Sequence, residues 1–286
     1  MNTKEYKKIK PLEKPENIFD LKDRVAVIVG GAGKMGQQFA RTLGFAGAKV
    51  VIADKNEEKC KKLAEVITTL TNSQLMGYKC DVTKEKQIQA LFKGVYNKYG
   101  KIDILIYNVM AKPEGYYRPF KDYLARTWKE VLDSNLTGAF LCCREAANYM
   151  KKSKEGAVVL TSSTYGLVGP DQRIYKNCSP KKNIYGGTDP LNCPASYSVS
   201  KAGLSGLARY LATLWGEFNI RVNLLTPGGV YDGQEESFHK EYVDRTPSGR
   251  MAVWSDYNGA ILFLVSDASR YMTGTNLIID GGWTAW

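Results

Sequence analysis

The chain has 286 residues, of which 44% are hydrophobic and 24% are charged, a balance typical of a globular protein with a buried core. This composition excludes disordered and fibrous proteins. No apolar run approaches the roughly 20 residues of a membrane-spanning helix, and residues 1–20 contain no apolar signal segment. We therefore expect a cytoplasmic protein without a membrane partner.

The basic charge of the chain raises the question of an anionic partner. The 40 Lys and Arg residues exceed the 29 Asp and Glu residues, which gives a formal net charge of +11. Because the positive residues are spread along the chain, we expect a solvated surface and no nucleic-acid partner. The six cysteines form no C-x-x-C pair and His239 is the single histidine, so the sequence predicts no metal site and argues against a Ser-His-Asp hydrolase.

Strand and helix patterns alternate along the chain. Short β-branched and apolar runs predict strands at 24–30, 49–53, 75–80, 102–107, 157–161, 221–225 and 276–279. Apolar residues at helical spacing predict helices at 35–46, 56–70, 84–99, 197–218 and 255–265. Alternation of this kind implies right-handed β-α-β crossovers. The expected fold is α/β, a Rossmann-like doubly wound parallel sheet of about seven strands with helices on both faces.

No repeat or linker divides the chain, so we expect one dinucleotide-binding catalytic domain at 19–286, preceded by an arm at 1–18. Two irregular insertions, at about 111–123 and 169–194, follow predicted strands that end at the same edge of the sheet. Ligands of open α/β sheets bind outside the carboxyl ends of the strands, and long loops there often form lids or walls. Both insertions are therefore predicted to border the substrate.

A glycine-rich turn lies between the first predicted strand and its helix. Its sequence contains G-x-G-x-x-G, in which glycines allow a tight turn and let a pyrophosphate approach the helix N-terminus. The residues predicted to contact the cofactor in this turn are Gly30, Gly31, Gly33, Lys34, Met35 and Gly36.

The end of the second predicted strand indicates which cofactor is bound. Asp54 follows Gly36 by 18 residues, close to the spacing of roughly 20 expected for an acid that binds the adenosine ribose. A carboxylate there favours NAD(H), because it would repel the 2′-phosphate of NADP(H). NADP(H) stays possible, since Lys34 or Lys55 could approach that phosphate. The alternative role for Asp54 is that of a helix N-cap.

Tyr197 and Lys201 lie four residues apart at the start of a predicted helix, and therefore on one face of it. A nearby ammonium stabilises a phenolate and so favours acid-base chemistry near neutral pH. A surface tyrosine packed on a lysine stem is the alternative.

Other short motifs follow in a fixed order. They are Asp81-Val82, Asn108, the NLTG sequence at 135–138, Ser162-Ser163, Pro227-Gly228 and the DGG sequence at 280–282. Together with the glycine-rich turn and the Tyr-x-x-x-Lys pair, they make the chain resemble the short-chain dehydrogenase/reductase family from about residue 19 to 282. The resemblance implies hydride transfer between a nicotinamide cofactor and a secondary alcohol or ketone.

The resemblance also implies roles for individual residues. Tyr197 would be the general acid-base, Lys201 would hold the nicotinamide ribose and tune the phenol, and Ser163 would bind the substrate oxygen. Asn135 would support a proton relay to Lys201, or alternatively be a buried amide that caps a helix or stabilises a kink. The other residues expected around the cofactor are Asp81, Val82, Asn108, Pro227, Gly228 and Val230.

The composition of the 169–194 insertion favours a sugar-like polar substrate, because the segment is rich in hydrogen-bonding side chains. Arg173 could bind a carboxylate or phosphate there, whereas the alternative is a loop packed on itself or on a neighbouring subunit. Together with residues 228–234, the insertion resembles a family branch found in bacterial flagellin-modification and nonulosonic-acid sugar pathways. The resemblance further implies a homodimer or homotetramer.

The leading hypothesis is therefore an NAD(H)-dependent alcohol dehydrogenase or ketoreductase. Three alternatives stay open. A 3-oxoacyl-thioester ketoreductase would use the basic surface to meet an acidic carrier protein, a sugar epimerase or dehydratase would use the same tyrosine and lysine, and a cofactor-binding sensor would lack turnover. The sensor is disfavoured because a protein without turnover has no need for all three of Ser163, Tyr197 and Lys201.

Overall fold

A computed structural model gives the fold and describes residues 18–179, 183–184 and 189–286. The predicted arm at 1–18 lies outside the described residues except for Ile18, and so do two short parts of the predicted 169–194 insertion.

Seven parallel strands form one sheet, as predicted. The strands are β1 (Val25–Val29), β2 (Lys49–Asp54), β3 (Leu75–Lys79), β4 (Ile104–Tyr107), β5 (Gly156–Thr161), β6 (Ile220–Pro227) and β7 (Asn276–Ile279). Their order across the sheet is β3-β2-β1-β4-β5-β6-β7. Strands β2 and β3 therefore follow β1 on one side of it. The chain then crosses back, and β4 to β7 follow one another on the other side of β1.

Eight α-helices connect and flank the strands in the described part of the chain. They are α1 (Lys34–Phe45), α2 (Glu57–Thr71), α3 (Glu85–Tyr99), α4 (Ala125–Leu132), α5 (Gly138–Ser153), α6 (Ala195–Trp215), α7 (Glu236–Asp244) and α8 (Asn258–Val265). None of the described helices combines the length and apolar character that a membrane span requires.

Three of these helices, α4, α5 and α7, are absent from the sequence-based prediction. A π-helical turn at Asp133–Thr137 joins α4 to α5, and its wider turn displaces the apolar positions of one helix relative to the other. The helical period is therefore broken inside the 125–153 segment. Helix α7 is short, and much of its surface is polar.

The helices cover both faces of the sheet, because alternate residues of each strand point in opposite directions. Val27 of β1 packs in one core with residues of α3, α5 and α6. Ile28, the next residue, packs in a second core with residues of α1, α2 and α8. The two cores confirm the doubly wound architecture and fix the sheet between them.

The position of the functional site follows from this topology. The strand order reverses between β1 and β4, so the connections that leave these two strands diverge and a crevice forms between them. The predicted insertion at 111–123 and the described parts of the one at 169–194 follow β4 and β5, and lie at the carboxyl edge of the sheet.

We predict that Gly77→Ala destabilises the protein by about 1 to 3 kcal/mol. A Cβ atom at Gly77 of β3 would lie 2.4 Å from backbone atoms of Cys60 and Lys61, so helix α2 would have to move. Urea unfolding measures the change in the free energy of unfolding.

Gly259→Ala is the matched control for this prediction. Gly259 is exposed in α8, and a Cβ there would meet no atom within 4 Å. Alanine should therefore raise the free energy of unfolding by about 0.5 to 1 kcal/mol. Equal effects of the two substitutions would contradict the close approach of α2 to β3.

Candidate active site

A cavity of about 940 Å³ opens at the carboxyl edge of the sheet. Its volume lies near the top of the range of roughly 300 to 1,000 Å³ typical of ligand sites. One part, the cofactor half, is lined by the glycine-rich turn, Asp54 and residues 80–84, 108–109 and 227–230. The other, the substrate half, is lined by Lys112, Pro113, Tyr116, Tyr117, Tyr165, Tyr175, residues 191–194, Gln234, Phe238, Tyr242 and Met251.

The glycine-rich turn passes very close to the end of β4. Gly30 has a φ of +77°, and a Cβ on it would lie 2.5 Å from the backbone oxygen of Asn108. A Cβ on Gly36 would lie 2.6 Å from the Gly30 oxygen. Gly30, Gly33, Lys34 and Met35 line the cavity as predicted, whereas Gly31 and Gly36 lie behind it and allow the turn to fold.

The N-terminus of α1 provides an anion site at this turn. Gly33 is the N-cap residue and supplies no side chain, and the first turn of the helix carries no acidic residue. The first backbone N–H groups of the helix are therefore available to an anion, and the helix dipole favours negative charge there. A cofactor pyrophosphate fits this position.

Lys34 links the glycine-rich turn to the loop after β6. Its ammonium forms an ion pair with Asp232 and lies 5.9 Å from the centroid of the Trp254 ring. The sequence predicted a cofactor contact for Lys34 but not this partner. The pair connects the cavity-lining Lys34 to the loop after β6.

Asp54 and Asp81 occupy the end of the cofactor half that lies farthest along the sheet toward β3. The carboxylate of Asp81 accepts hydrogen bonds from the N–H and hydroxyl groups of Thr83, at 3.0 and 2.7 Å, and so holds its own turn. Asn56, not Asp54, caps helix α2 through a hydrogen bond from the Lys59 N–H. Asp54 is therefore the better candidate for a ribose hydroxyl, and the N-cap alternative for it is wrong.

The remaining predicted cofactor residues also line the cofactor half. They are Lys55, Val82, Asn108, Pro227, Gly228 and Val230. Thr161 Oγ1 is buried beside the cavity and has no hydrogen-bond partner among the described residues. A glycine cradle, a helix N-terminus, an acid and an unused hydroxyl together fit a nicotinamide dinucleotide.

The two neighbouring serines after β5 have different roles. The Ser162 hydroxyl donates a hydrogen bond of 3.0 Å to the backbone oxygen of Lys201 and is thereby committed to the fold. The Ser163 hydroxyl lines the cavity and accepts a hydrogen bond of 3.2 Å from the Tyr165 N–H. Its hydrogen can therefore point to a substrate oxygen, in agreement with the choice of Ser163.

Lys201 is a buried cation at the junction of the two halves. Its Nζ donates to the backbone oxygens of Thr161 at 2.8 Å and Val109 at 3.2 Å. Burial lowers the pKa of Lys201 to about 8. The ammonium is held by the ends of β4 and β5 and lies on the same helix face as Tyr197, one turn away.

Tyr197 lies in the first turn of α6 and lines the cavity. Its ring packs against a cluster around Tyr116 and Tyr117 on one side, and against a cluster that contains Tyr165 on the other. Two aromatic clusters therefore fix the ring at the point where Ser163 and Lys201 also reach the cavity.

Asn135 lies in the π-helical turn and is fully buried, outside the cavity lining. Its oxygen accepts from the Ala111 N–H at 2.9 Å, and its nitrogen donates to the Ser200 hydroxyl at 3.0 Å. These bonds tie the loop after β4 to helix α6. This geometry matches the alternative of a buried amide at a kink, while the proton relay stays a prediction.

The polar side chains of the 169–194 insertion hold the loop in place. The Gln172 amide donates to the Cys193 oxygen at 2.7 Å and accepts from the Cys193 N–H at 3.3 Å. Asp171 binds Arg245 of the segment after α7 at 3.0 Å, and also Arg173. Arg173 is 81% exposed, lies outside the cavity lining and binds Asp171 through its guanidinium. Its contact with substrate stays a prediction.

Aromatic rings form much of the substrate half, which the sequence did not predict. Tyr242 stacks on Trp283 with ring centroids 4.2 Å apart, and Tyr175 stacks on Phe238 at 5.2 Å. These residues come from the insertion, α7 and the C-terminal segment, so no local pattern marks them as a group. Among the described residues, no group of three or more His, Cys, Asp or Glu side chains is arranged to bind a metal.

Two family models match successive parts of the chain. The model described as short chain dehydrogenase matches residues 24–177, and the model described as enoyl-(acyl carrier protein) reductase matches residues 183–284. The first alone covers more than half of the chain.

Individual relatives match over nearly the whole chain. Sorbose reductase of Candida albicans is 30% identical to this chain, and the alignment covers 94% of this chain and 89% of the reductase. NADP-dependent mannitol dehydrogenase of Alternaria alternata is also 30% identical, and the alignment covers 94% of this chain and 95% of the dehydrogenase. The structure of gluconate 5-dehydrogenase from Burkholderia cenocepacia in complex with NADP and tartrate superposes with a TM-score of 0.82 at 26% identity. The superposition covers 94% of this chain and 98% of the dehydrogenase. The chain belongs to the short-chain dehydrogenase/reductase family and is a nicotinamide-dependent oxidoreductase.

Proposed function

We propose that the protein interconverts a secondary alcohol and a ketone of a small, polar, sugar-like substrate. The observation that carries the proposal is that Ser163, Tyr197 and Lys201 line the same cavity, with the Lys201 ammonium bonded to the backbone oxygen of Thr161, two residues before Ser163. A nicotinamide ring bound beside them would supply or accept the hydride. Relatives that are named as sorbose reductase and mannitol dehydrogenase support a polyol or ketose as the substrate.

In this proposal each of the three side chains handles a proton or a charge. The Tyr197 hydroxyl gives its proton to the substrate oxygen during reduction and takes one back during oxidation. The Ser163 hydroxyl donates a hydrogen bond to the same oxygen and stabilises the negative charge that develops there. The Lys201 ammonium lowers the free energy of the Tyr197 phenolate through its positive charge.

We propose NAD(H) as the preferred cofactor, with Asp54 as the group that selects it. Asp54 lines the cavity and does not cap α2. Its carboxylate accepts one long hydrogen bond, of 3.5 Å from the Asn56 N–H, and retains acceptor sites for ribose hydroxyls. Relatives that use NADP, together with Lys55 beside Asp54, support the opposite preference. The cofactor ratio is therefore the sharpest test of this part of the proposal.

Other substrates remain as alternatives. The resemblance to the flagellin-modification and nonulosonic-acid branch stays a prediction, and so do the carrier-linked ketoreductase, the epimerase or dehydratase and the sensor. Relatives named for free sugars and polyols favour a free small molecule over a carrier-linked one.

We also propose a homodimer or homotetramer. Apolar side chains are exposed on the outer faces of α5 and α6, among them Phe140, Val199, Tyr210 and Leu214. Apolar surface of this kind is typical of an interface between subunits. Sedimentation velocity should show a dimer or tetramer, and a monomer at micromolar concentration would contradict the proposal.

Tyr197→Phe should lower kcat by roughly 100-fold or more, since general acid-base groups contribute about 10² to 10⁴. The measurement is absorbance of the reduced nicotinamide during incubation with NAD or NADP and a panel of polyols, sugar acids and ketoses. NADH affinity, followed by fluorescence, should change little.

Tyr123→Phe is the control for the tyrosine substitution. Tyr123 shares a hydrogen bond of 2.7 Å with Ser196, next to Tyr197, but lies outside the cavity lining. This variant should keep its kcat. Turnover that survives in Tyr197→Phe would rule out the proposed acid-base role.

Asp54→Asn should lower the ratio of kcat/KM for NAD over NADP by roughly tenfold or more, because it removes a negative charge that faces the 2′-phosphate. Initial rates with both cofactors give the ratio. Glu58→Gln, an exposed change in the first turn of α2, should leave it unchanged. A wild-type enzyme that already prefers NADP would contradict the assignment of Asp54.

A further inference from the structure

One lysine stands in the aromatic substrate half of the cavity. Lys112 follows the end of β4 by five residues and lines the cavity beside Pro113 and Tyr117. Its side chain is partly buried, and its ammonium lies 5.9 Å from the centroid of the Tyr117 ring. The ammonium is therefore held against the wall of the cavity.

Burial makes the positive charge of Lys112 energetically unfavourable at this position. Burial lowers the pKa of Lys112 to about 7, and the carboxylate of Asp232 opposes that shift only in part. Asp232 forms its ion pair with Lys34 and acts on Lys112 only through its charge. An additional anion in the cavity would offset the cost of keeping Lys112 charged.

The other lysines of the cavity lie outside its aromatic substrate half. Lys201 donates to two backbone oxygens at the reacting centre. Lys34, Lys55 and Lys84 line the cofactor half. Among the described residues, no arginine lines the cavity. One ammonium matches one carboxylate, whereas a phosphate dianion would call for more donors.

The walls around Lys112 suit the carbon skeleton of such a substrate. Tyr116 and Tyr117 meet edge to face, with centroids 4.8 Å apart, and both rings are nearly buried. Aromatic faces pack well against the C–H surface of a ring or chain, and so favour a compact carbon skeleton.

We propose that the substrate is a hydroxy acid or keto acid, and that Lys112 binds its carboxylate while Tyr197 and Ser163 hold the reacting oxygen. This proposal rests on the proposed function, because it assigns the far end of the same substrate. It makes Lys112 a specificity-determining residue.

Binding of an unreactive pair of probes tests the assignment without turnover. Cyclohexanecarboxylate and cyclohexanecarboxamide have nearly the same shape and differ in charge. Isothermal titration of each into the full-length, NADH-saturated protein at pH 6.5 should show the acid binding about 10- to 100-fold more tightly, as expected for a hydrogen bond between charged groups.

Three variants then locate the origin of the preference. Lys112→Met keeps the length of the side chain without its charge, and should make the two probes bind equally. Lys112→Arg should restore most of the preference for the acid. Lys121→Met removes an exposed lysine of the same loop that lies outside the cavity lining, and should change neither affinity.

Turnover of hydroxy acids and neutral polyols separates this proposal from the proposed function. Equal binding of both probes to the wild type, or a preference for the acid that survives in Lys112→Met, would overturn the role of Lys112. Turnover of polyols would still support the proposed function in that case. A Lys112-dependent preference for the acid without turnover of any alcohol would sustain the binding site and contradict the dehydrogenase activity.

Discussion

The site depends on how closely the turn after β1 approaches the end of β4. Gly30 leaves β1 with a positive φ at a distance where any side chain would collide with the backbone of Asn108. Because these two strands are neighbours at the point where the sheet reverses its order, their connections diverge and leave the crevice between them. The helix N-terminus, the acid at the end of β2 and Lys201 all face this crevice.

The two halves of the cavity are mechanically linked through the loop after β6. Lys34 pairs with Asp232 across the cofactor half, and the Gly229 N–H donates a 2.5 Å hydrogen bond to the Tyr242 hydroxyl of the substrate half. Tyr242 in turn stacks on Trp283. A short series of contacts therefore connects the glycine-rich turn with the aromatic wall of the substrate half.

Local pattern was sufficient to predict the sheet, five helices and the placement of Tyr197 and Lys201 on one helix, because each depends on residues close together in the chain. The strand runs, the glycine-rich turn and the Tyr197–Lys201 spacing are of this kind. The aromatic wall could not be predicted in this way, since Tyr116, Tyr175 and Tyr242 come from three distant segments. The partner of Arg173 could not be predicted either: its guanidinium suggested a ligand contact, and in the structure it binds the nearby Asp171.

Transfer of deuterium from labelled cofactor tests the central claim, that this cavity carries out net hydride transfer. The full-length protein would be incubated with NADH deuterated at C4 of the nicotinamide and a panel of ketoses and keto acids, and the products examined by mass spectrometry and NMR. The account predicts one deuterium on the new carbinol carbon and stoichiometric NAD. Substrate that is epimerised or dehydrated while the cofactor keeps its label would contradict it.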